Sequence, residues 1–254
     1  MTQAEKARTF HALHKKGEPL VLYNIWDAGS AKAVAEAGAK AIATGSWSVA
    51  SAQGYADGEK LPLDRVMRTA KQIGSAVGLP VSIDFEGGYA REPEFLADNV
   101  ARLIATGAVG LNFEDQVVGG EGLHAIEDQA HRIAAIRAVA DEASIPLFIN
   151  ARTDVFLKSD PADHARHMKE ATDRCDVYAE AGASGFFIPG LTDPDLIARI
   201  CSHTKLPVNA YMKDGAPSIS EMAKLGVARI SHGPGPYRQA MQALTASASE
   251  VYQN

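Results

Sequence analysis

Two carboxylates one residue apart, Asp84 and Glu86 in the run PVSIDFEGG, are the first groups in this chain whose types and spacing point to chemistry. Residues i and i+2 of a strand share a face, so the pair would project together. Carboxylates gathered in one place do not all ionise cheaply unless a cation compensates them. Oxygen donors without a histidine cluster favour Mg2+, with Mn2+ as an alternative, over Zn2+. Asp84 and Glu86 are therefore the leading metal candidates, and Asp57 and Glu114 would complete the shell through water. Solvated loop acids, or acids paired with arginine, are the plain alternative. Arg152 closes the apolar run PLFINAR. There a guanidinium is partly desolvated and suited to a substrate carboxylate through two parallel hydrogen bonds, a salt bridge to one of the acids being the competing use. The turn Gly45-Ser46-Trp47-Ser48 offers backbone N–H groups to an anion or an enolate oxygen. Asn209 ends another apolar run, and His124 and His232 are candidate proton donors, since imidazole titrates near neutrality. Tyr89 and Tyr211 are weaker candidates for that work. The other histidines, His11, His14, His131, His164, His167 and His203, fall in stretches read as helical and are expected at the surface.

These residues need elements to hold them. Eight short apolar runs recur, at 19–24, 41–45, 80–85, 109–114, 146–151, 184–189, 207–212 and 228–233, and four begin at or just after a proline. Helical spacing fills the intervals, at 28–37, 64–77, 92–106, 126–142, 161–181, 193–203, 218–225 and 236–247. Several of these helices end in Ala-Gly or Leu-Gly, where glycine can take the left-handed cap conformation. Alternation of this kind implies parallel strands with right-handed crossovers. Eight units over 254 residues fit a single (β/α)8 barrel domain, 1–254. An open doubly wound sheet would show a glycine-rich phosphate loop after its first strand, and NIWDAG at 24–29 is not one. In such a barrel the active side chains come from the C-terminal strand ends and the loops after them. Asn24, Asp27, Asp84, Asn112, Glu114, Asp115, Asn150, Arg152, Asp154, Asn209 and His232 all lie there.

Net charge of −6 disfavours nucleic acid and anionic membranes, which leaves a small carboxylate as the expected partner. Cys175 and Cys201 have no metal-ligand spacing to any histidine and read as structural thiols. No apolar run approaches the length of a membrane span. A cytoplasmic location is the default expectation.

Five blocks in order resemble the isocitrate lyase and phosphoenolpyruvate mutase superfamily, in its oxaloacetate decarboxylase-like and phosphorylmutase-like branch. They are YNIWDAGSAKAVAEAGAKAIATGSWSVASAQGYADGE, PVSIDFEGGY, GLNFEDQ, FINARTD and NAYMKDGAPSISEMAKLGVARISHG. The resemblance implies a barrel that forms homodimers or homotetramers by exchanging its last helix, with Mg2+ at the mouth and chemistry on pyruvate-like units. It matches Asp57, Asp84, Glu86 and Glu114 to the acids that hold the metal and its waters, and Arg152 to the arginine that grips the substrate carboxylate. Ser46 and Trp47 match the turn whose amides contact that carboxylate. The lyases of the superfamily carry a K-[KR]-C-G-H lid where this chain has Gly120, Glu121, Gly122, Leu123 and His124. That departure argues against isocitrate or methylisocitrate cleavage by the usual route. The lid of the phosphonomutases is missing too.

Three functions compete at this point. The first is a Mg2+-dependent lyase that breaks a C–C bond of a small 2-oxo or 2-hydroxy dicarboxylate, by decarboxylation or retro-aldol cleavage, through a pyruvate-like enolate. The second is a P–C bond enzyme, a phosphonomutase or phosphonopyruvate hydrolase. The third is a non-catalytic barrel that binds a 2-oxo acid.

Overall fold

In the computed structural model, which describes residues 1–253, the eight runs become parallel strands. They are β1 (Leu20–Leu22), β2 (Ile42–Ala43), β3 (Val81–Asp84), β4 (Gly110–Glu114), β5 (Phe148–Arg152), β6 (Gly185–Phe187), β7 (Val208–Tyr211) and β8 (Arg229–Ser231). Neighbours in sequence are neighbours in the sheet, and β1 pairs with β8. A parallel bridge between Ile25 and Thr44 closes the seam between β1 and β2. The helices are α1 (Gln3–Ala12), α2 (Ala28–Glu36), α3 (Ser46–Ala52), α4 (Leu63–Ala76), α5 (Pro93–Ile104), α6 (Ile126–Glu142), α7 (His164–Glu180), α8 (Pro194–His203), α9 (Ile219–Lys224) and α10 (Gly235–Tyr252). Each strand is thus followed by at least one helix, as the (β/α)8 expectation requires. The Ala-Gly and Leu-Gly endings work as read: Gly38, Gly182 and Gly226 follow α2, α7 and α9 with φ of 98°, 100° and 90°.

Four expectations need correction. Helix α1 has no place among the eight intervals of helical spacing, although His11 and His14 fall in a stretch read as helical; Thr2 starts it with a reciprocal capping box, and Ala7 and Phe10 are its only buried residues, a stripe too short to show periodicity. The 45–48 turn is the entry to α3 rather than an isolated turn. Residues 161–163 form a separate 3-10 turn ahead of α7. His14 and His164, expected at the surface, are buried, because each ring makes a hydrogen bond to a backbone carbonyl that lets it desolvate: Nδ1 of His14 to Phe10 O (2.7 Å) and Nε2 of His164 to Phe156 O (2.9 Å).

The interior of the barrel differs along its axis. At the N-terminal end α1 acts as a plug, with the Phe10 ring edge-on to Phe148 at 5.4 Å and His14 stacked on Phe148 at 4.0 Å. Two inward positions must be glycine to admit these rings. A Cβ on Gly110 would lie 2.9 Å from Phe10 Cε1, and one on Gly185 2.8 Å from Phe148 Cε1. Higher up, apolar side chains give way to Ser82, Asn112, Asn150, Asn209, Arg229 and Ser231, all buried. Bulky branched residues usually fill this layer, so the substitution by polar groups is a sign that the interior serves the mouth.

Candidate active site

Strand register lays out the site. Asp84, Asn112 and Asn150 are partners across β3, β4 and β5, and one pleat further on Glu114 is the partner of Arg152. Asp84 accepts the Ser46 backbone N–H at 2.9 Å on Oδ2 and the Asn112 amide at 3.3 Å on Oδ1. The Ser46 side chain also acts on Asp57, where it favours the charged carboxylate. The start of α3 therefore meets two of the four expected metal acids, and in this structure the Ser46 amide is directed to Asp84. Trp47 turns outward from the acids, with its ring against Tyr237 at 5.8 Å and beneath the Arg238 guanidinium at 4.8 Å.

Glu86 sits in the loop after β3 with φ of +50°, and Glu59 and Tyr89 share that left-handed backbone at +58° and +60°. Strained non-glycine residues persist only where their surroundings hold them. Here the three hold one another. Glu86 Oε2 accepts the Glu59 N–H (2.8 Å), Glu59 Oε1 accepts the Tyr89 N–H (2.8 Å), and the Tyr89 hydroxyl donates to Glu86 Oε1 (3.1 Å). Glu59 was missed by sequence reasoning, since it lies in a loop with no strand to mark its direction. The lid residue Val118 rests against Gly87, where a Cβ would meet it at 3.0 Å.

Arg152 lies between two acids. Its Nη1 is 2.9 Å from Glu114 Oε2, while Nε and Nη2 donate to the two oxygens of Asp154 at 2.6 and 2.9 Å. Asp154, which sequence reasoning placed at a strand end without a role, is thus the residue that fixes the guanidinium plane. A hydrogen bond from the Asp154 N–H to Asp115 anchors it in turn. Asn209 is fully buried and exchanges hydrogen bonds with Ser231.

The two candidate histidines lie in different surroundings. His124 N–H donates to Asp115 O, and burial followed by Arg132 and Arg91 lowers the pKa of its ring. Arg132, Arg91, Asp128 and Arg174 are the charges that act on it most, and the acids of the mouth are not among them. His232 is held by its backbone N–H to Asn24 Oδ1 (2.8 Å), and burial lowers its pKa. Its ring lines a cavity of about 350 Å³ with Tyr211, Lys213 and Arg238. Tyr211, raised by burial, feels the charges of both Arg238 and Arg152.

Accumulated negative charge is the dominant electrostatic fact. Burial, with Asp57 and Asp84 adding to it, pushes the Glu86 carboxyl up to about 7. Burial and then Asp84 raise Asp57. Burial raises Glu114 despite Arg152, with Asp154, Asp84 and Glu86 contributing. Burial opposes the charge on Arg152, but Glu114 and Asp154 outweigh it. Among the described residues no three His, Cys, Asp or Glu side chains converge into a ready cage for a metal ion. The donor set still fits magnesium, which keeps several waters and touches few protein carboxylates. Asp84 would be the direct contact, and Asp57, Glu86 and Glu114 would bind the waters.

A family model described as phosphoenolpyruvate phosphomutase matches residues 10–252. The chain belongs to this family. In the phosphomutase family its relatives include the 2-methylisocitrate lyase of Escherichia coli, 27% identical across 99% of this chain and 85% of the relative. An oxaloacetate decarboxylase of Pseudomonas entomophila is 28% identical across 92% of this chain and 80% of the relative. A crystal structure of a candidate phosphonomutase from Burkholderia cenocepacia covers 98% of this chain and 99% of its own, at 46% identity and a TM-score of 0.95. The chain is accordingly an enzyme of the isocitrate lyase and phosphoenolpyruvate mutase superfamily, a group of lyases and mutases that act on small carboxylates.

Proposed function

We propose that this protein is a Mg2+-dependent lyase that cleaves a C–C bond of a small 2-oxo or 2-hydroxy dicarboxylate. One observation carries the reading: buried acids of raised pKa gather round Asp84 at the barrel mouth, beside a guanidinium locked by Asp154. The cation would polarise the 2-oxo group and neutralise this charge. Arg152 orients the substrate carboxylate with those of its N–H groups that remain after Glu114 and Asp154. In the decarboxylation of oxaloacetate the C3–C4 bond breaks, CO2 leaves, and the electron pair moves into the 2-oxo group to give an enolate. A proton delivered to C3 completes pyruvate. His232 is the favoured donor of the two histidines, since Tyr211, which shares its cavity, feels the charge of Arg152, whereas the acids of the mouth are not among the charges that act most on His124.

The P–C reading draws support from the family description and from the assignment of the 46% identical structure. Pyruvate and inorganic phosphate measured in parallel separate the two, with oxaloacetate, substituted malates, 2-methylisocitrate and phosphonopyruvate as substrates and Asp84→Ala as control. Metal-dependent pyruvate from a carbon substrate, lost in the variant, is the expected result. Phosphate from phosphonopyruvate with no carbon substrate turned over would replace the lyase with the P–C enzyme.

The proposal extends to a homodimer or homotetramer built by exchange of α10. This helix buries only Pro236 and leaves Leu244, Val251 and Tyr252 63%, 72% and 87% exposed, an apolar face suited to a second copy. Light scattering is expected to give a multiple of the 26.9 kDa chain mass, and a monomer would refute it. No helix among the described residues is long and apolar enough to cross a membrane.

A further inference from the structure

We propose that Arg229, sealed inside the barrel below the mouth, is a positioning residue that sets the orientation of Asp84 through Asn112. Arg229 begins β8 and is 1% exposed. Its Nη2 donates to Asn112 Oδ1 at 3.1 Å, while Nε and Nη1 have no hydrogen-bond partner among the described residues. None of the ion pairs of the described residues includes it. A buried cation with no carboxylate against it is costly, and an apolar side chain of the same size would fill the space more favourably. The Phe10 ring takes one face of the guanidinium, 5.9 Å from its centroid, and still leaves Nε and Nη1 unpaired.

The hydrogen-bond polarity accounts for an arginine here. Asn112 Oδ1 also accepts the Asn150 amide at 2.9 Å, which leaves Asn112 Nδ2 to donate to Asp84 Oδ1 at 3.3 Å. An asparagine pair can reverse both amides together and keep its mutual bond, and Asn150 Oδ1 has no partner that would prevent this. Arginine is a donor only and cannot reverse. With Arg229 in place, Asn112 must turn its oxygen inward and its NH2 toward Asp84. Reversal would set an amide oxygen against the carboxylate. The Ser46 N–H fixes the other Asp84 oxygen, so both ends of this carboxylate are oriented before any cation arrives. Burial lowers the Arg229 pKa to about 9, with Asp84 opposing, and the group remains charged at neutral pH.

The inference rests on the reading of Asp84 as a metal acid, and the experiment separates the two. Mn2+ affinity is measured by electron paramagnetic resonance on the full-length wild type, Asp84→Ala, Arg229→Met and Arg229→Lys, with thermal midpoints for each. Arg229→Met is expected to weaken Mn2+ binding roughly 10- to 100-fold, the scale for residues that orient metal ligands, while its midpoint is unchanged or higher. Arg229→Lys, still a donor only, should recover much of the affinity. If Arg229→Met does not fold, the lysine variant and Asn112→Leu carry the test, and Asn112→Leu should show the same loss. Unchanged affinity in Arg229→Met or Asn112→Leu, with a lowered midpoint, would make the arginine merely structural and overturn the proposal. Wild type and Asp84→Ala that bind Mn2+ equally would overturn the metal reading beneath it.

Discussion

At the N-terminal end of the barrel the rings of Phe10, His14 and Phe148 close the interior, whereas at the C-terminal end Asp57, Asp84, Glu86 and Glu114 gather, with Glu114 paired to Arg152. Both ends are buried, and both hold titratable groups away from their ordinary pKa, but in opposite senses. Burial drives His14 down to about 3 and Glu86 up to about 7. The plug is thus organised for stability, with the His14 imidazole kept neutral and His11, also against Phe148, lowered by burial as well. The mouth stores charge that folding alone does not compensate and that a cation would.

Substitutions should split along this line. Asp84→Ala is expected to lower metal-dependent turnover roughly 10²- to 10³-fold with little change in the unfolding midpoint, as kinetics and urea melts on the same preparation would show. Phe10→Ala should do the reverse and cost about 3–5 kcal/mol of stability while the folded fraction keeps its Mg2+ affinity. Equal damage to both properties by either variant would remove the distinction.

Acid and base should separate the ends as well. His14 has its pKa depressed in the fold, so its contribution is present above the unfolded value of 6.5 and is lost as pH falls toward about 3, up to about 5 kcal/mol. Glu86 has its pKa raised, so its contribution is full below 4.5 and is lost as pH rises through about 7, on the order of 3 kcal/mol without metal. The two slopes have opposite sign and nearly cancel between pH 4.5 and 6.5, so urea denaturation of the wild type in chelator is expected to be almost flat there. His14→Gln should uncover the fall with rising pH that belongs to Glu86, and either Glu86→Gln or added Mg2+ the rise that belongs to His14.

A smaller effect is expected at Asp154, which holds the Arg152 plane through two hydrogen bonds. Asp154→Asn should lower kcat/KM roughly 10- to 100-fold through misplacement of the guanidinium. An unchanged value would mean that Glu114 alone suffices to orient it.

The two ends were also unequally legible in the sequence. Strand-end carboxylates announce themselves because period-two spacing and the barrel rule assign them a face and a level, as Asp84, Glu114 and Arg152 illustrate. The interior polar row was written in the same code, through Ser82 and Asp84, Asn112 and Glu114, Asn150 and Arg152. What could not be read was the contact of Arg229 with Asn112 across the barrel, because sequence spacing carries no information about opposite strands. The bounds of helix α1 escaped because two buried residues make no period, and the burial of His14, just past its end, was missed with them. Glu59 escaped because a loop position has no fixed direction until its partners, Glu86 and Tyr89, are in place.

The most direct test of the central claim follows oxaloacetate by proton NMR in D2O, with wild type and Asp84→Ala at the same Mg2+ concentration. The account predicts that wild type exceeds the background that free Mg2+ and Asp84→Ala share, and that early pyruvate carries one solvent deuterium at C3, the mark of a protonated enolate. Wild-type rates equal to that background on oxaloacetate and on substituted malates, with phosphate released from phosphonopyruvate, would contradict it.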